Sequence, residues 1–327
     1  MQRKTVLYLD QNAWIALAQG AWDKTAHPRE HAALGVVGEA LTAGHLVVPL
    51  SFANQYETMK INDPVRRQHL AHVQVTISEG RVLRSRRTLL HTMLLQQISQ
   101  SAALSTPQLA HDWFLSDLWF ETVGEPNGDG SDPMVPASLV ALIRKHPKET
   151  LFEYLVGDDE AVRKEAVRRF SEGSATLLSQ MARRRKHVAG ETFAMRLRAY
   201  GAQLMIEEID YILALGRQYG LAWSTVSDIG SALARSFVDE VPIMEVERQL
   251  AVRLEDQKRA TTENDLRDMA AFTAALPLVD LLVGERQFVN LSRQAKLDGR
   301  YGTVLLTSVH DLTADLLGPR EAPTERT

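Results

Sequence analysis

The chain has 327 residues, of which 45% are hydrophobic and 24% are charged, and this composition is typical of a globular protein with one large domain or two smaller ones. Its formal net charge of -4 excludes a general polycation of the histone type, so any contact with nucleic acid requires a local basic patch. Because cysteine is absent, disulfide bonds, thiolate zinc sites and cysteine nucleophiles are also excluded.

A short buried strand is predicted at 5–9, where the apolar run TVLYL is bounded by polar residues. This run is too short for the core of a signal peptide, and no later stretch of about 18 residues is continuously apolar. We therefore expect a cytoplasmic protein that makes no contact with a membrane.

Helices and strands alternate along the next part of the chain. Helices are predicted at 12–18 and 30–43, and strands at 45–50 and 81–83. Gly44 is expected to end the second helix, and Ser51 is expected to cap a third helix, which carries Glu57. The order strand, helix, strand, helix predicts a parallel α/β sheet.

From 86 to 256 the sequence changes to helical periodicity, and we predict a large all-helical insertion in this region. A loop is predicted at 125–136, where glycine, proline and aspartate cluster. The aromatic side chains at 113–120 recur at spacings typical of helical core packing, which we favour over a role in stacking on bases.

The insertion contains a basic cluster, RRRK, at 183–186. Such a cluster can neutralise phosphates and guide a nucleic-acid strand without reading its sequence. The alternative is a solvated helix face. The candidate nucleic-acid-binding residues are Arg183, Arg184, Arg185 and Lys186.

The α/β pattern resumes after 256. Thr261 or Thr262 is placed to cap a helix, and strands are predicted at 279–284 and 303–308. Residues 1–85 and 257–327 are therefore predicted to form one α/β domain, which the helical insertion at 86–256 interrupts.

Four acidic residues are predicted to converge at one edge of the sheet: Asp10, Glu57, Asp268 and Glu285. Three of these positions follow a strand or begin a helix on the same edge, and Asp268 lies inside a later helix. Clustered carboxylates repel, and their pKa values rise unless cations lie between them. Mg²⁺ and Mn²⁺ suit oxygen ligands without histidine or cysteine, and they support displacement at phosphorus. The arrangement predicts phosphodiester hydrolysis.

Three segments resemble the PIN-like metal-dependent nucleases: VLYLDQNAW, VVPLSFANQYET and NDLRDMAAFTAALPLVDLLVGERQF. The resemblance covers roughly the first 60 and the last 70 residues. In that family an Asp after the first strand, a Glu on the helix after the second, an Asp on a later helix and an acid after the fourth strand bind the metal. The family's fourth acid is commonly Asp, as in TDxxF, whereas this chain has GERQF, so the longer side chain of Glu285 must retract.

The resemblance implies a PIN-like, Rossmann-like parallel sheet and an Mg²⁺- or Mn²⁺-dependent nuclease that cleaves RNA or DNA. It implies that Asp10, Glu57, Asp268 and Glu285 are catalytic and bind the metal, with Asp265 as a further candidate ligand. Many PIN-like proteins are toxins or defence nucleases, which implies an inhibitory or co-encoded protein partner. A homo-oligomer is also compatible with the sequence.

Other interpretations stay open for these residues. Asp10 could be a helix N-cap, and one of Asp265 and Asp268 is expected to be a cap or supporting acid, with the spacing favouring Asp268 as the ligand. Asp280 is expected to be structural. A haloacid-dehalogenase-type phosphatase also follows a first strand with Asp, but it needs a second acid where this chain has Asn12. A catalytically inactive PIN-like module that binds nucleic acid or protein is the third possibility.

Overall fold

The computed structural model of the protein describes residues 2–102, 104–105, 108–124, 135–157 and 160–321. Residues 125–134, which form most of the predicted loop at 125–136, lie outside these ranges.

The described residues form eight strands and sixteen α-helices, with short 3-10 helices at Trp119–Thr122 and Val309–Asp311. The strands are β1 (Gln2–Arg3), β2 (Thr5–Leu9), β3 (Leu46–Val47), β4 (Val82–Leu83), β5 (Leu115–Ser116), β6 (Leu281–Val283), β7 (Val304–Leu306) and β8 (Arg320–Glu321). The helices are α1 (Gln11–Trp22), α2 (Pro28–Thr42), α3 (Phe52–Lys60), α4 (Pro64–Ser78), α5 (Arg86–Ser101), α6 (Ala137–Lys145), α7 (Pro147–Val156), α8 (Glu160–His187), α9 (Phe193–Gln218), α10 (Val226–Ile229), α11 (Ser231–Glu240), α12 (Pro242–Glu255), α13 (Glu263–Ala275), α14 (Arg286–Gln294), α15 (Leu297–Tyr301) and α16 (Ala314–Leu317). None of the helices in these ranges combines the length and the apolar character needed to cross a membrane.

A four-stranded parallel sheet with the order β3-β2-β6-β7 forms the centre of the fold. The two ends of the chain meet in it, since Leu7 of β2 lies opposite Leu281 of β6. A bridge between Leu50 and Val82 adds β4 next to the end of β3. The predicted α/β class and parallel sheet are confirmed, and each predicted strand contains the observed one.

Alternate side chains of β2 enter two different cores, as the two-residue period of a strand requires. Val6 and Tyr8 pack in a core with α5, α9 and α11 to α14. Leu7 and Leu9 pack in a second core with α1, α2, α4 and α7. Burial of each such aliphatic side chain contributes about 1.5–3 kcal/mol, so both helical layers are held to the sheet by a few completely buried positions.

The middle of the chain packs onto the sheet and shares a core with it. α12 contacts α9 and α11 within this segment and α13 and α14 after it. The expectation of an all-helical segment is wrong at Leu115–Ser116, because β5 pairs there antiparallel with β4. This pairing satisfies backbone groups at the sheet edge that would otherwise have no partner. Phe114 is buried and half-buried Trp119 stacks on Tyr154, but these aromatic residues lie in a turn and a 3-10 helix, so the expected α-helical packing is not observed.

Caps fix the helix boundaries near the sheet. Ser51 caps α3 and Thr262 caps α13, each through a capping box, and both predicted caps are confirmed. Gly44 follows α2 at φ +72°, in the left-handed region that favours glycine, and its N–H donates to the Leu41 carbonyl. The predicted end of that helix is therefore confirmed as well.

Candidate active site

Four acidic side chains from separate elements lie at the carboxyl edge of the parallel sheet. The charges of Glu57 and Glu285 act on Asp10, and those of all three act on Asp268. The edge lies between β2 and β6, where the strand order reverses and where open α/β sheets commonly bind ligands. The structure therefore brings together the four residues that the sequence predicts to converge.

Asp10 links the end of β2 to the start of α1. Its backbone N–H donates to the Val283 carbonyl of β6 at 2.9 Å, and its Oδ1 accepts from the Ala13 N–H at 2.8 Å as the N-cap. The cap engages one of the two carboxylate oxygens. Burial raises the pKa of Asp10 to about 6, with the nearby charges of Glu57 and Glu285 adding to the effect and the Ala13 hydrogen bond opposing it.

Glu57 is positioned by the polar anchor of α3. The Ser51 hydroxyl lies 2.9 Å from the Tyr8 hydroxyl, and Asn54 Nδ2 donates to the Leu9 carbonyl at 3.2 Å. These bonds fix the first turn of α3 against the end of β2, and Glu57 lies one turn later on the same face as Asn54. Burial raises the pKa of Glu57, although the cation of Arg267 opposes this shift.

Asp268 and Glu285 are neighbours because α13 packs closely on the turn after β6. A Cβ at Gly284 would lie 2.5 Å from Cζ of Phe272, so glycine is needed for this approach. Asp268 lies one turn before Phe272, and its carboxyl group shares a hydrogen bond with that of Glu285. Burial, this bond and the surrounding acids raise the pKa of Asp268 to about 9.

Arg267 is the buried cation beside the cluster. Its side chain is 6% exposed, its Nε lies 3.2 Å from Oε1 of Glu57, and its Nη1 lies 2.9 Å from Oε1 of Glu263. The guanidinium also lies over the Tyr56 ring at 5.5 Å. Sequence reasoning missed Arg267, although its position directly before Asp268 placed a cation next to a candidate ligand.

Asp265 has a structural role at the start of α13. Its Oδ2 accepts from the Thr262 N–H at 2.7 Å, the Thr262 hydroxyl at 2.8 Å and Arg259 Nη1 at 2.7 Å. Burial acts to raise the pKa of Asp265, but the bonds from Arg259 and Thr262 outweigh it and lower the pKa. Of the two candidate acids on this helix, Asp265 completes the capping box with Thr262, and Asp268 interacts with the other carboxyl groups.

The chemistry of the four carboxyl groups fits a hard divalent cation, since all donors are carboxylate oxygens. The pKa values of Asp10, Glu57 and Asp268 are raised, so their negative charges are incompletely compensated. As the side chains stand, no three His, Asp or Glu residues of the described ranges could hold a metal ion together. Glu57 is turned toward Arg267, and Asp268 is hydrogen-bonded to Glu285, so both contacts must rearrange when an ion binds.

The basic cluster on α8 is divided between structural and exposed side chains. Arg184 Nε donates to Glu255 at 2.9 Å, and its guanidinium lies 4.2 Å from the Tyr200 ring centroid. Arg185 donates to the Arg259 carbonyl at 3.1 Å. Arg183 and Lys186 are exposed. Arg184 and Arg185 therefore hold α8 to α12 and the segment after it, and Arg183 and Lys186 are the members of the predicted cluster that face solvent.

Two further polar residues singled out by the sequence are not members of the carboxyl cluster. Asn12 is exposed on the first turn of α1. Asp280 accepts from Arg3 Nη1 at 2.6 Å and from the Val6 N–H at 2.9 Å, at the amino end of β6. The expectation that Asp280 is structural is confirmed.

No protein-family model, curated protein or solved structure matches this chain. The function is therefore inferred from the arrangement of its own side chains.

Proposed function

We propose that the protein is a PIN-like nuclease that hydrolyses phosphodiester bonds of RNA or DNA with Mg²⁺ or Mn²⁺. The observation that carries the proposal is the convergence of Asp10, Glu57, Asp268 and Glu285 at the point where the strand order of a parallel sheet reverses.

The uncompensated charge of this cluster supports the proposal. Asp268 retains a proton at neutral pH, and only Glu57 of the four pairs directly with a buried arginine, among the contacts described for these side chains. A structural cluster would be more stable with additional cations in place, so the arrangement favours a site that binds its positive charge from solution.

The four carboxylates would hold the ion, with Asp10 kept in place by its cap to Ala13 and Glu57 by the anchor of α3. When bound, such an ion supplies positive charge that polarises a phosphoryl oxygen and makes a nearby water molecule a better nucleophile. Arg267 holds Glu57 in place and adds a fixed positive charge beside the cluster. Tyr8, which is buried below the acids, keeps its proton because burial raises its pKa.

A haloacid-dehalogenase-type phosphatase fits the site less well. That chemistry needs a general acid two residues after the first aspartate, and the residue there is the exposed Asn12.

An inactive PIN-like module that binds nucleic acid or protein is the second candidate. The observation that favours it is that Glu57 pairs with Arg267 and Asp268 pairs with Glu285. These carboxyl groups are therefore directed at side chains of the same protein. Activity with a divalent ion distinguishes it from the nuclease.

The biological setting is proposed from the sequence resemblance. A toxin or defence nuclease would be restrained by an inhibitory or co-encoded protein, and such a chain could act as a homo-oligomer in the cytoplasm. Expression with and without its genomic neighbours would test whether a partner restrains it.

The test of the proposed activity uses the purified chain with labelled single-stranded RNA, single-stranded DNA and duplex, in Mn²⁺, Mg²⁺ or EDTA. Asp10→Asn is the informative variant, because asparagine preserves the N-cap but removes the charge. The matched control is Asp210→Asn, which changes an exposed acid on α9.

We expect cleavage that depends on the metal, is unaffected in Asp210→Asn and falls about 10³-fold in Asp10→Asn. Cleavage by Asp10→Asn at the parent rate would contradict the assignment of Asp10 as a metal ligand. Binding without cleavage in every metal condition would support the inactive module instead.

A further inference from the structure

A groove with a cavity volume of about 230 Å³ lies between α1 and α4, and none of the four clustered acids lines it. Its apolar floor includes Ile15 and Ile61, and its far end is formed by Trp22 and His69. Arg66 and His27 line the same groove, which also contains the carboxylate of Asp23.

Trp22 is a large aromatic side chain held rigidly at the surface. It is 51% exposed, and its ring stacks on that of His69 with centroids 4.1 Å apart and planes 14° apart. Its Nε1 donates to the His69 backbone carbonyl at 3.2 Å, which fixes the orientation of the ring. An exposed and immobilised indole is well suited to stack on a further flat ring at low entropic cost.

The groove and the acidic site are carried by the same elements, since α1 follows Asp10 and lines the groove, and α3 carries Glu57 and ends at the groove residue Ile61. Ile15 lies five residues after Asp10 on α1, and Ile61 lies four residues after Glu57 at the end of α3. A closed ring of hydrogen bonds links Gln11, Thr58 and Gln74 and fixes α1, α3 and α4 relative to one another. At about 1.5 Å per residue, Trp22 lies about 18 Å along α1 from Asp10.

We propose that this groove binds the part of a single-stranded nucleic acid that flanks the scissile phosphate, with one base stacked on Trp22. The inference rests on the proposed nuclease function. It adds that the substrate is single-stranded and that it follows the groove between α1 and α4. Single strands fit because their bases are free to stack, whereas bases paired in a duplex are not. Arg66 provides a positive charge for the backbone beside the stacked base.

The test compares steady-state cleavage of a single-stranded oligonucleotide by the parent, Trp22→Ala and Trp22→Phe in the preferred metal. The matched control is Tyr219→Ala, which removes another exposed aromatic residue at the end of α9. A second substrate, bis(p-nitrophenyl) phosphate, is a diester too small to reach Trp22 from the carboxyl cluster.

We expect Trp22→Ala to raise KM for the oligonucleotide at least about tenfold with little change in kcat, since a flanking contact binds ground state and transition state alike. Trp22→Phe should recover most of the binding, and Tyr219→Ala should match the parent. All variants should hydrolyse the small diester at the parent rate, which excludes loss of folding as the cause.

The outcomes separate this inference from the proposed function. If the parent cleaves and Trp22→Ala has the same KM, the groove does not bind substrate, but the nuclease function stands. If Trp22→Ala impairs the small diester equally, the effect is structural and the inference is overturned. If the parent cleaves neither substrate in any metal, the proposed function fails and the inference fails with it.

Discussion

The carboxyl groups of Asp268 and Glu285 share a hydrogen bond, although one lies on α13 and the other precedes α14. Such a bond requires a proton, so one of the two groups is protonated. Because the pKa of Asp268 is raised to about 9, the proton is retained at neutral pH. In the absence of metal, the pair is therefore stabilised by a proton. A bound divalent cation would neutralise the same two carboxylates in its place.

The first prediction concerns Asp268→Asn in the absence of metal. The pKa of Asp268 is about 9 in the folded chain and 3.8 ordinarily, so the folded state binds more protons between these values and loses stability as pH rises through them. Asparagine can donate to Glu285 without ionising. We expect the variant to be more stable than the parent by about 2 kcal/mol near pH 8, after allowance for solvent screening.

Urea unfolding in EDTA at several pH values measures this difference. The stability gap should close as pH falls below the ordinary pKa of 3.8, where Asp268 is protonated in both the folded and the unfolded parent. If the variant is less stable than the parent at every pH, the folded protein stabilises the ionised carboxylate of Asp268, and the shared proton is not the reason for its stability.

The second prediction concerns the pH dependence of metal binding. Mg²⁺ or Mn²⁺ must displace the proton held by Asp268, so affinity should rise with pH up to about 9, by up to about tenfold per unit. Calorimetry in two buffers with different ionisation heats should show release of about one proton near pH 7. Binding that is independent of pH, or equal in Asp268→Asn, would contradict the assignment.

The strands could be predicted from the sequence because each is a short, buried apolar run, as at β2 and β6. The convergence of Asp10 and Glu285 followed from the rule that parallel strands place their carboxyl ends at one edge. The strands β1, β5 and β8 could not be predicted, since their antiparallel pairing depends on a partner that is distant in the sequence.

The partners in the ion pairs of the site could also not be predicted from the local sequence pattern. The sequence places Arg267 between Glu263 and Asp268, but only the packing of α13 against α3 shows that its partner is Glu57. Similarly, the sequence RRRK on α8 does not distinguish its four cations from one another. The ion pair of Arg184 with buried Glu255 shows that Arg184 is structural. Tertiary contacts thus assign roles that residue type leaves open.

The third prediction concerns Arg267 and Glu57. Arg267→Ala should destabilise the protein by about 3 kcal/mol, because it removes the buried cation that pairs with both Glu57 and Glu263 and leaves them, among the described residues, only the more exposed Lys60. Glu57→Gln in the same background should recover part of this loss. A double-mutant cycle by urea unfolding measures the coupling free energy between Arg267 and Glu57, and Glu263→Gln is the control for the other ion pair. Additive effects of the two substitutions would show that Arg267 and Glu57 do not interact.

The fourth prediction separates the two acids of α13. Asp265→Ala should lower stability by about 2 kcal/mol through loss of the capping box and the Arg259 pair. Asp265→Asn should leave kcat within about threefold of the parent, whereas Asp268→Asn should reduce it about 10³-fold. Cleavage assays on folded variants decide this, and loss of activity in Asp265→Asn would make Asp265 part of the catalytic group.

The fifth prediction divides the basic cluster of α8. The double variant Arg183→Ala, Lys186→Ala should keep parental stability but bind single-stranded nucleic acid more weakly, with a salt slope reduced by about 0.7 for each phosphate that is no longer neutralised. Arg184→Ala should instead destabilise the fold by about 3 kcal/mol, because it leaves buried Glu255 without its cation. Binding titrations at several salt concentrations, with unfolding curves for each variant, test both halves. An unchanged salt slope in the double variant would show that this helix face is simply solvated.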